Sequence, residues 1–258
     1  NKGVEHIVIV NNNSTDGTET YLAGLDSSIF TIVNSKHNLG GAGGFALGMK
    51  VAYQKTNDDY FWIMDDDTIP EKDATVSLLE KADCLNDRFG FLCSNVRWTD
   101  GTSCNIPYTV QKWPQRVNDG LIQVSQATFV SVLFTRKVVS KVGVPTKEMF
   151  IWGDDTEYTV RVTQLYPSYF VIDSVVVHKT TNNLAGVTIL NDSVDRIKRY
   201  FYLNRNLIYI SKLYKGRRAT NKLFLHHMLY AIKVLLFSRD HHFNRFSAVV
   251  SGSVKGLF

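Results

Sequence analysis

Tyr60-Phe61-Trp62-Ile63-Met64-Asp65-Asp66-Asp67 runs five large apolar side chains directly into three adjacent carboxylates. A short apolar run with a polar boundary reads as a buried strand, and the aspartates mark its carboxyl end. Carboxylates set side by side repel one another, which costs stability unless a cation or solvent relieves them. Side chains alternate along an extended chain, so Asp65 and Asp67 are expected on one face, where they can hold one hard divalent ion. Two other readings stay open. One is a solvated acidic turn or helix N-terminus. The other is a phosphatase of the D-x-D-x-[TV] type, against which Ile69 in the fifth position counts.

Outward from this strand, residues 6–10, 29–33, 91–98, 129–134 and 169–177 read as further strands. Helices are expected from an N-cap at Ser14 through Leu25, from the glycine-rich turn 38–44 to about Tyr53, over 71–84 and over 155–165. Residues 100–118, with Gly101, Pro107 and Pro114, form an irregular excursion. The alternation predicts an α/β layered fold with a mostly parallel central sheet, in which ligands bind at the carboxyl ends of the strands. The polar clusters 11–13, 38–44 and 65–67 all follow strands and are expected to converge on one edge.

Three other stretches carry chemistry. In Asn38-Leu39-Gly40-Gly41-Ala42-Gly43-Gly44-Phe45, glycines let backbone approach a ligand and the following helix offers N–H groups to phosphate. Gly41, Gly43 and Ala46 also satisfy G-x-G-x-x-A. That fingerprint belongs after a first strand with one acidic residue ~20 positions on, which is not the order here. In Phe150-Ile151-Trp152-Gly153-Asp154-Asp155-Thr156-Glu157-Tyr158, an acidic pair opens a helix beside an indole. The pair suits a general base with its neighbour, or simply a helix dipole, and Trp152 suits either a sugar platform or a core. His178 ends a strand, where a structural role competes with metal ligation.

Composition narrows the class. With 258 residues, 44% hydrophobic and 21% charged, the chain buries a full core and is neither disordered nor fibrous. Cys84, Cys93 and Cys104 lack C-x-x-C spacing and read as reduced thiols of a cytosolic protein. No stretch reaches the ~18 apolar residues of a membrane span. The net charge of +5 hides a division: residues 1–191 carry 16 Lys and Arg against 21 Asp and Glu, whereas residues 192–258 carry 13 against 3. The basic part reads as helical, with Leu225, Met228, Leu229, Ile232, Leu235 and Leu236 in a stripe. Lys212, Lys215, Arg217, Arg218 and Lys222 beside such a stripe favour an anionic membrane surface over nucleic acid. A homo-oligomer interface through these helices is the other reading.

The order of motifs resembles glycosyltransferase family 2, with its GT-A fold. Residues 7–18, IVIVNNNSTDGT, resemble the family's I-V-V-D-N-x-S-x-D-G-T, and 38–45 its N-x-G-G-A-G-G-F. Asp65–Asp67 resembles its D-x-D, 150–158 its second acidic motif, and His178 the histidine that completes a metal site. The glycine run with W-x-D-D is most similar to bacterial galactofuranosyl- and rhamnosyltransferases of cell-surface polysaccharides. The resemblance covers residues 4–180, continuing weakly through 199–206. It implies a catalytic domain over 1–190, whose first strand is expected to precede residue 1, and a basic amphipathic helical extension over 191–258.

The same resemblance implies the roles. Asp65, Asp67 and His178 would hold Mn²⁺ or Mg²⁺. Asp155 would be the base, with Asp154 beside it, and Trp152 would meet the acceptor. Asn11, Asn13, Asp16, Asn38, Gly40, Gly41, Gly43, Gly44, Asp65 and Asp66 would bind the nucleotide sugar. Asn11 stands where the family usually has Asp, and an amide both donates and accepts, which leaves uracil, thymine or cytosine open; the expected donor is a UDP- or dTDP-sugar. The implied enzyme inverts the anomeric centre and works on a lipid-linked or growing polysaccharide, peripheral on the cytoplasmic face of the inner membrane. Two alternatives compete: a non-catalytic truncated module that binds nucleotide or glycan, and a nucleotidyltransferase. The latter needs a basic residue in its glycine loop, and residues 38–47 contain none.

Overall fold

Phe91–Cys93 is apolar without alternation, and the strand it opens, Phe91–Trp98, becomes the middle of the main sheet because both faces of that run are covered. The structure, a computed structural model, describes residues 3–181 and 187–258. In chain order the elements are β1 (Ile7–Asn11), α1 (Thr18–Ala23), β2 (Phe30–Asn34), α2 (Gly40–Lys55), β3 (Tyr60–Ile63), β4 (Thr68–Pro70), α3 (Ala74–Cys84) and β5 (Phe91–Trp98). They continue with β6 (Tyr108–Thr109), β7 (Leu121–Gln126), β8 (Val132–Thr135), α4 (Arg136–Val142), α5 (Asp154–Thr163) and β9 (Ser168–His178). Three helices follow: α6 (Ile197–Tyr214), α7 (Gly216–Phe237) and α8 (His242–Leu257).

The chain divides into two compact units, Asn1–Lys147 with Asp155–Ala185, and Glu148–Asp154 with Gly186–Phe258. In the first, β1 and β2 pair in parallel, and a larger sheet runs β3-β8-β5-β9-β7-β6 with β4 on the end of β9. The sheet is mixed, which corrects the expected mostly parallel one. Among the described residues only β1–β2 and β5–β9 are parallel pairs. A parallel neighbour needs a crossover back to the same end. β7 and β8 instead run against β9, β5 and β3. β7 was not expected: Leu121 and Val124 are its buried residues, a spacing of three that hides the period of two. β8 starts three residues later than the expected strand, at Val132, although Phe129 and Val130 before it are buried.

Alternation places the core. Phe91 and Cys93 of β5, with Val132 and Phe134 of β8, pack against Met49 of α2, Val138 and Val139 of α4, and Tyr158 and Val162 of α5. Leu92 and Leu133 point the other way, onto Leu78 and Ala82 of α3. The strand sense then fixes the site. β8 is antiparallel to both β3 and β5, and β9 is parallel to β5, so β3, β5 and β9 all end at one edge.

The second unit is built from α6, α7 and α8 around Ile197, Tyr200, Ala231, Val234, Ala248 and Val249. Arg245 is fully buried there; its guanidinium donates to the carbonyls of Ile189 and Asp192 and to the Asp240 carboxylate. No helix among the described residues is long and apolar enough to cross a membrane. Cys84, Cys93 and Cys104 are free thiols.

Candidate active site

The aspartates do not extend β3, as alternation had suggested. They form a tight turn into β4, closed by the Thr68 N–H donating to the Asp65 carbonyl at 3.2 Å. β4 then lies antiparallel to the end of β9 with Thr68 opposite His178, and the Lys179 N–H donates to the Asp67 carbonyl at 2.8 Å. The turn, not the pleat, brings Asp65 and Asp67 to one imidazole. His178 Nε2 lies 3.1 Å from Asp67 Oδ1 and 3.9 Å from Asp65 Oδ2, and the His178 side chain is only 12% exposed. One ligand atom from each of the three residues falls within 4.8 Å of the others.

Electrostatics mark the same place. Desolvation first, then the neighbouring carboxylates of Asp67, Asp155 and Asp66, pushes Asp65 up to about 7. Asp155, at the start of α5 and 90 residues along the chain from Asp65, is one of the charges that raise it. Two carboxylates and one imidazole crowded together are a donor set that fits a divalent cation. Asp66 is exposed on the same turn.

The asparagine and glycine clusters also converge. His6 precedes β1 and Asp58 precedes β3, and their side chains meet at 2.9 Å, so the two strands start side by side. Asn12, which the motif comparison left without a role, ties the two clusters. Its Oδ1 accepts from the Leu39 N–H at 2.8 Å, and its Nδ2 donates to the Gly40 carbonyl at 2.9 Å. Asn38 Oδ1 accepts from the Gly40 N–H at 2.8 Å. These bonds start α2 at Gly40, inside the expected turn, so Gly41, Gly43 and Gly44 lie in its first turns. Gly40 sits at φ +69°, and a Cβ on Gly43 would lie 2.5 Å from that of Leu39, so neither position accommodates a larger residue without strain.

Asn11 is buried, donating to Asn34 Oδ1 at 3.0 Å and accepting from the Ser14 N–H at 3.1 Å, so its amide is engaged with the loop. Ser14 is therefore not an N-cap. α1 begins at Thr18, where the Asp16 carboxylate accepts from both the Thr18 backbone and its hydroxyl; those bonds hold the Asp16 pKa below the ordinary range. Asn13 is exposed at φ +61°. Asp155 is half-buried, and its Oδ1 accepts from the Thr156 N–H at 2.6 Å. Asp154 is buried and belongs to the second unit. So does Trp152, whose indole packs edge-on against Tyr200, with the Arg196 guanidinium 5.3 Å from the ring centre.

Residues 2–134 match the family described as glycosyl transferase family 2. The chain belongs to that family. Among curated proteins it is similar to galactofuranosyltransferase GlfT1 of Mycobacterium tuberculosis (strain ATCC 25618 / H37Rv), 29% identical over 224 residues that cover 79% of this chain and 72% of that one. GlfT1 of Mycolicibacterium smegmatis (strain ATCC 700084 / mc(2)155) is 30% identical over 173 residues, covering 62% and 56%. Among solved structures, GalNAc-T7 with UDP, GalNAc and Mn²⁺ superposes with a TM-score of 0.63 at 12% identity, over 95% of this chain and 48% of its own. The mannosyltransferase PcManGT from Pyrobaculum calidifontis, in complex with GDP-Man and Mn²⁺, superposes at 0.52 and 13% identity, over 98% and 78%. Likeness at such identities establishes the fold, that of the GT-A glycosyltransferases. This family 2 chain is a glycosyltransferase.

Proposed function

We propose that this glycosyltransferase moves galactofuranose or rhamnose from a UDP- or dTDP-sugar to a hydroxyl of a lipid-linked or growing cell-surface polysaccharide, with inversion. The observation that carries the reading is the gathering of Asp65, Asp67 and His178 within 4.8 Å, with Asp155 close enough to raise the pKa of Asp65. The galactofuranosyltransferase relatives support the sugar. Asp65, Asp67 and His178 would hold Mn²⁺ or Mg²⁺, which when bound supplies positive charge for a departing diphosphate. Asp155, in the first turn of α5, accepts the proton of the acceptor hydroxyl as that oxygen attacks the anomeric carbon. A single displacement inverts that carbon. The N–H groups at the start of α2, fixed by Asn12 and Asn38, favour the anionic end of the donor. Asn11, Asn13, Asp16 and Asp66 are assigned to its nucleotide side.

The test separates chemistry from binding. Asp155→Asn should lower turnover by about 10²- to 10⁴-fold while calorimetry shows unchanged affinity for UDP or dTDP. That affinity should disappear with EDTA. Unimpaired turnover in Asp155→Asn removes the base, and EDTA-insensitive binding removes the cation.

The acceptor's place on a membrane rests on α7. Thr220, His227, Ala231 and Val234 form its buried seam. At 100° per residue, Leu225, Leu229, Ile232 and Leu236 lie on the opposite side, each 52–63% exposed. Arg218, Lys222 and Lys233 are exposed along or beside that stripe, and residues 196–239 contain no Asp or Glu. An apolar stripe with a basic border suits an anionic lipid surface, whereas a second copy of the same face would bring like charges together.

A further inference from the structure

We infer that Asn105 is a positioning residue that sets the tautomer of His178 and so prepares Nε2 to bind a cation. The inference rests on the proposed cation site. Asn105 lies in the irregular segment between β5 and β6, 73 residues before His178, yet its Oδ1 is 3.0 Å from His178 Nδ1. The segment is held in place by backbone. The Cys104 N–H donates to the Val96 carbonyl at 3.3 Å, and Arg97 and Ser103 form a bridge beside β5. The histidine is held from the same side, because Trp98 is its register partner and the Trp98 indole N–H donates to the Thr180 carbonyl at 3.0 Å.

An amide oxygen only accepts, so the hydrogen bond requires the proton on Nδ1. In the neutral ring Nε2 then carries a lone pair, directed at Asp67 Oδ1 3.1 Å away. A lone pair facing a carboxylate is unfavourable by itself and becomes favourable with a cation between them. An acceptor on the far nitrogen is how a ligand histidine is oriented and made more basic. Asn105 has φ +48°, a left-handed conformation that Asn tolerates better than most residues, so the backbone presents the acceptor at modest cost.

The test uses the whole chain and two variants chosen for that backbone. Asn105→Gly keeps the left-handed conformation and removes the acceptor; Asn105→Asp keeps the acceptor. In metal-free protein at pH 8.5, long-range ¹H–¹⁵N spectra, with the ring assigned against His178→Gln, should show His178 protonated on Nδ1. The same tautomer should appear in Asn105→Asp and be lost in Asn105→Gly. Calorimetry with Mn²⁺ alone should find affinity about 10- to 100-fold weaker in Asn105→Gly and largely restored in Asn105→Asp. A wild-type ring protonated on Nε2, or undiminished Mn²⁺ affinity in Asn105→Gly, overturns the inference. If the wild type binds no Mn²⁺, the functional reading fails, while the metal-free tautomer still decides the role of Asn105.

Discussion

The two units of this chain use charge in opposite ways. In the sheet unit the decisive charges are acidic and few, brought together at the ends of β3 and β9 from residues as far apart as Asp65 and His178. In the helical unit the charge is basic and spread: residues 196–239 carry 11 Lys and Arg with no acid, around a stripe of aliphatic side chains that faces solvent. Crowding like charges at one point costs stability and suits a site that a cation completes. Spreading like charges over a helical surface costs little and suits a broad, oppositely charged partner. One unit is organised for a point ligand, the other for a surface.

If that contrast is right, the two functions come apart in opposite variants. Asp65→Ala with Asp67→Ala should lower transfer to a water-soluble acceptor by about 10³-fold, the effect of several kcal/mol of lost charge stabilisation. Its binding to vesicles containing phosphatidylglycerol should match the wild type. Loss of both activities together would mean that the double variant acts through folding, which a melting curve would reveal, or that the contrast is false.

The converse variant is expected to have a smaller effect. Leu229→Glu with Ile232→Glu places two carboxylates on the exposed stripe of α7. Sedimentation with the same vesicles should show binding weakened by about 100-fold, from lost apolar insertion and added repulsion, with soluble-acceptor transfer near wild type. Lys222→Ala with Lys233→Ala should weaken it by about 30-fold at low salt, roughly 1 kcal/mol per basic residue, and the difference should shrink at high salt. Equal binding to neutral and anionic vesicles would exclude the electrostatic part. A salt-insensitive dimer formed through α7 would favour association between copies instead.

The same contrast explains what the sequence disclosed. Phe91–Trp98 was legible to the residue because both faces are buried at its start, and His178 stood out because it ends a strand in a chain that also carries an acidic motif. The gathering of Asp65 with Asp67 was foreseen, though for the wrong local reason, since a turn and not an extended segment brings them together. Asn12 and Asn105 were missed. Their work is done by hydrogen bonds to Leu39, Gly40 and His178 across the fold, and nothing in a run of asparagines or an irregular excursion identifies such partners. In the helical unit the periodicity of α7 was visible. Which side faces the core was not, because α7 is apolar on two opposite faces and only the packing of Ala231 and Val234 distinguishes them.

The smallest expected effect probes the buried seam of α7. His227 is buried and its Nδ1 meets the Ser253 hydroxyl of α8 at 2.8 Å. Desolvation, with a lesser contribution from His226, lowers its pKa from 6.5 to about 4. The folded state therefore resists a proton that the unfolded chain takes up below about pH 6.5, so stability is full above that pH and falls as pH drops toward about 4. Between pH 7.5 and 5.5 the loss should be about 1 kcal/mol, read as a lower urea midpoint of the helical signal. His227→Gln keeps a partner for Ser253 and removes the titrating ring, so its midpoint should move less over that interval. An equal shift in both proteins would assign the pH dependence to other groups and show that this seam, unlike the acidic edge of the sheet unit, contributes no titratable strain.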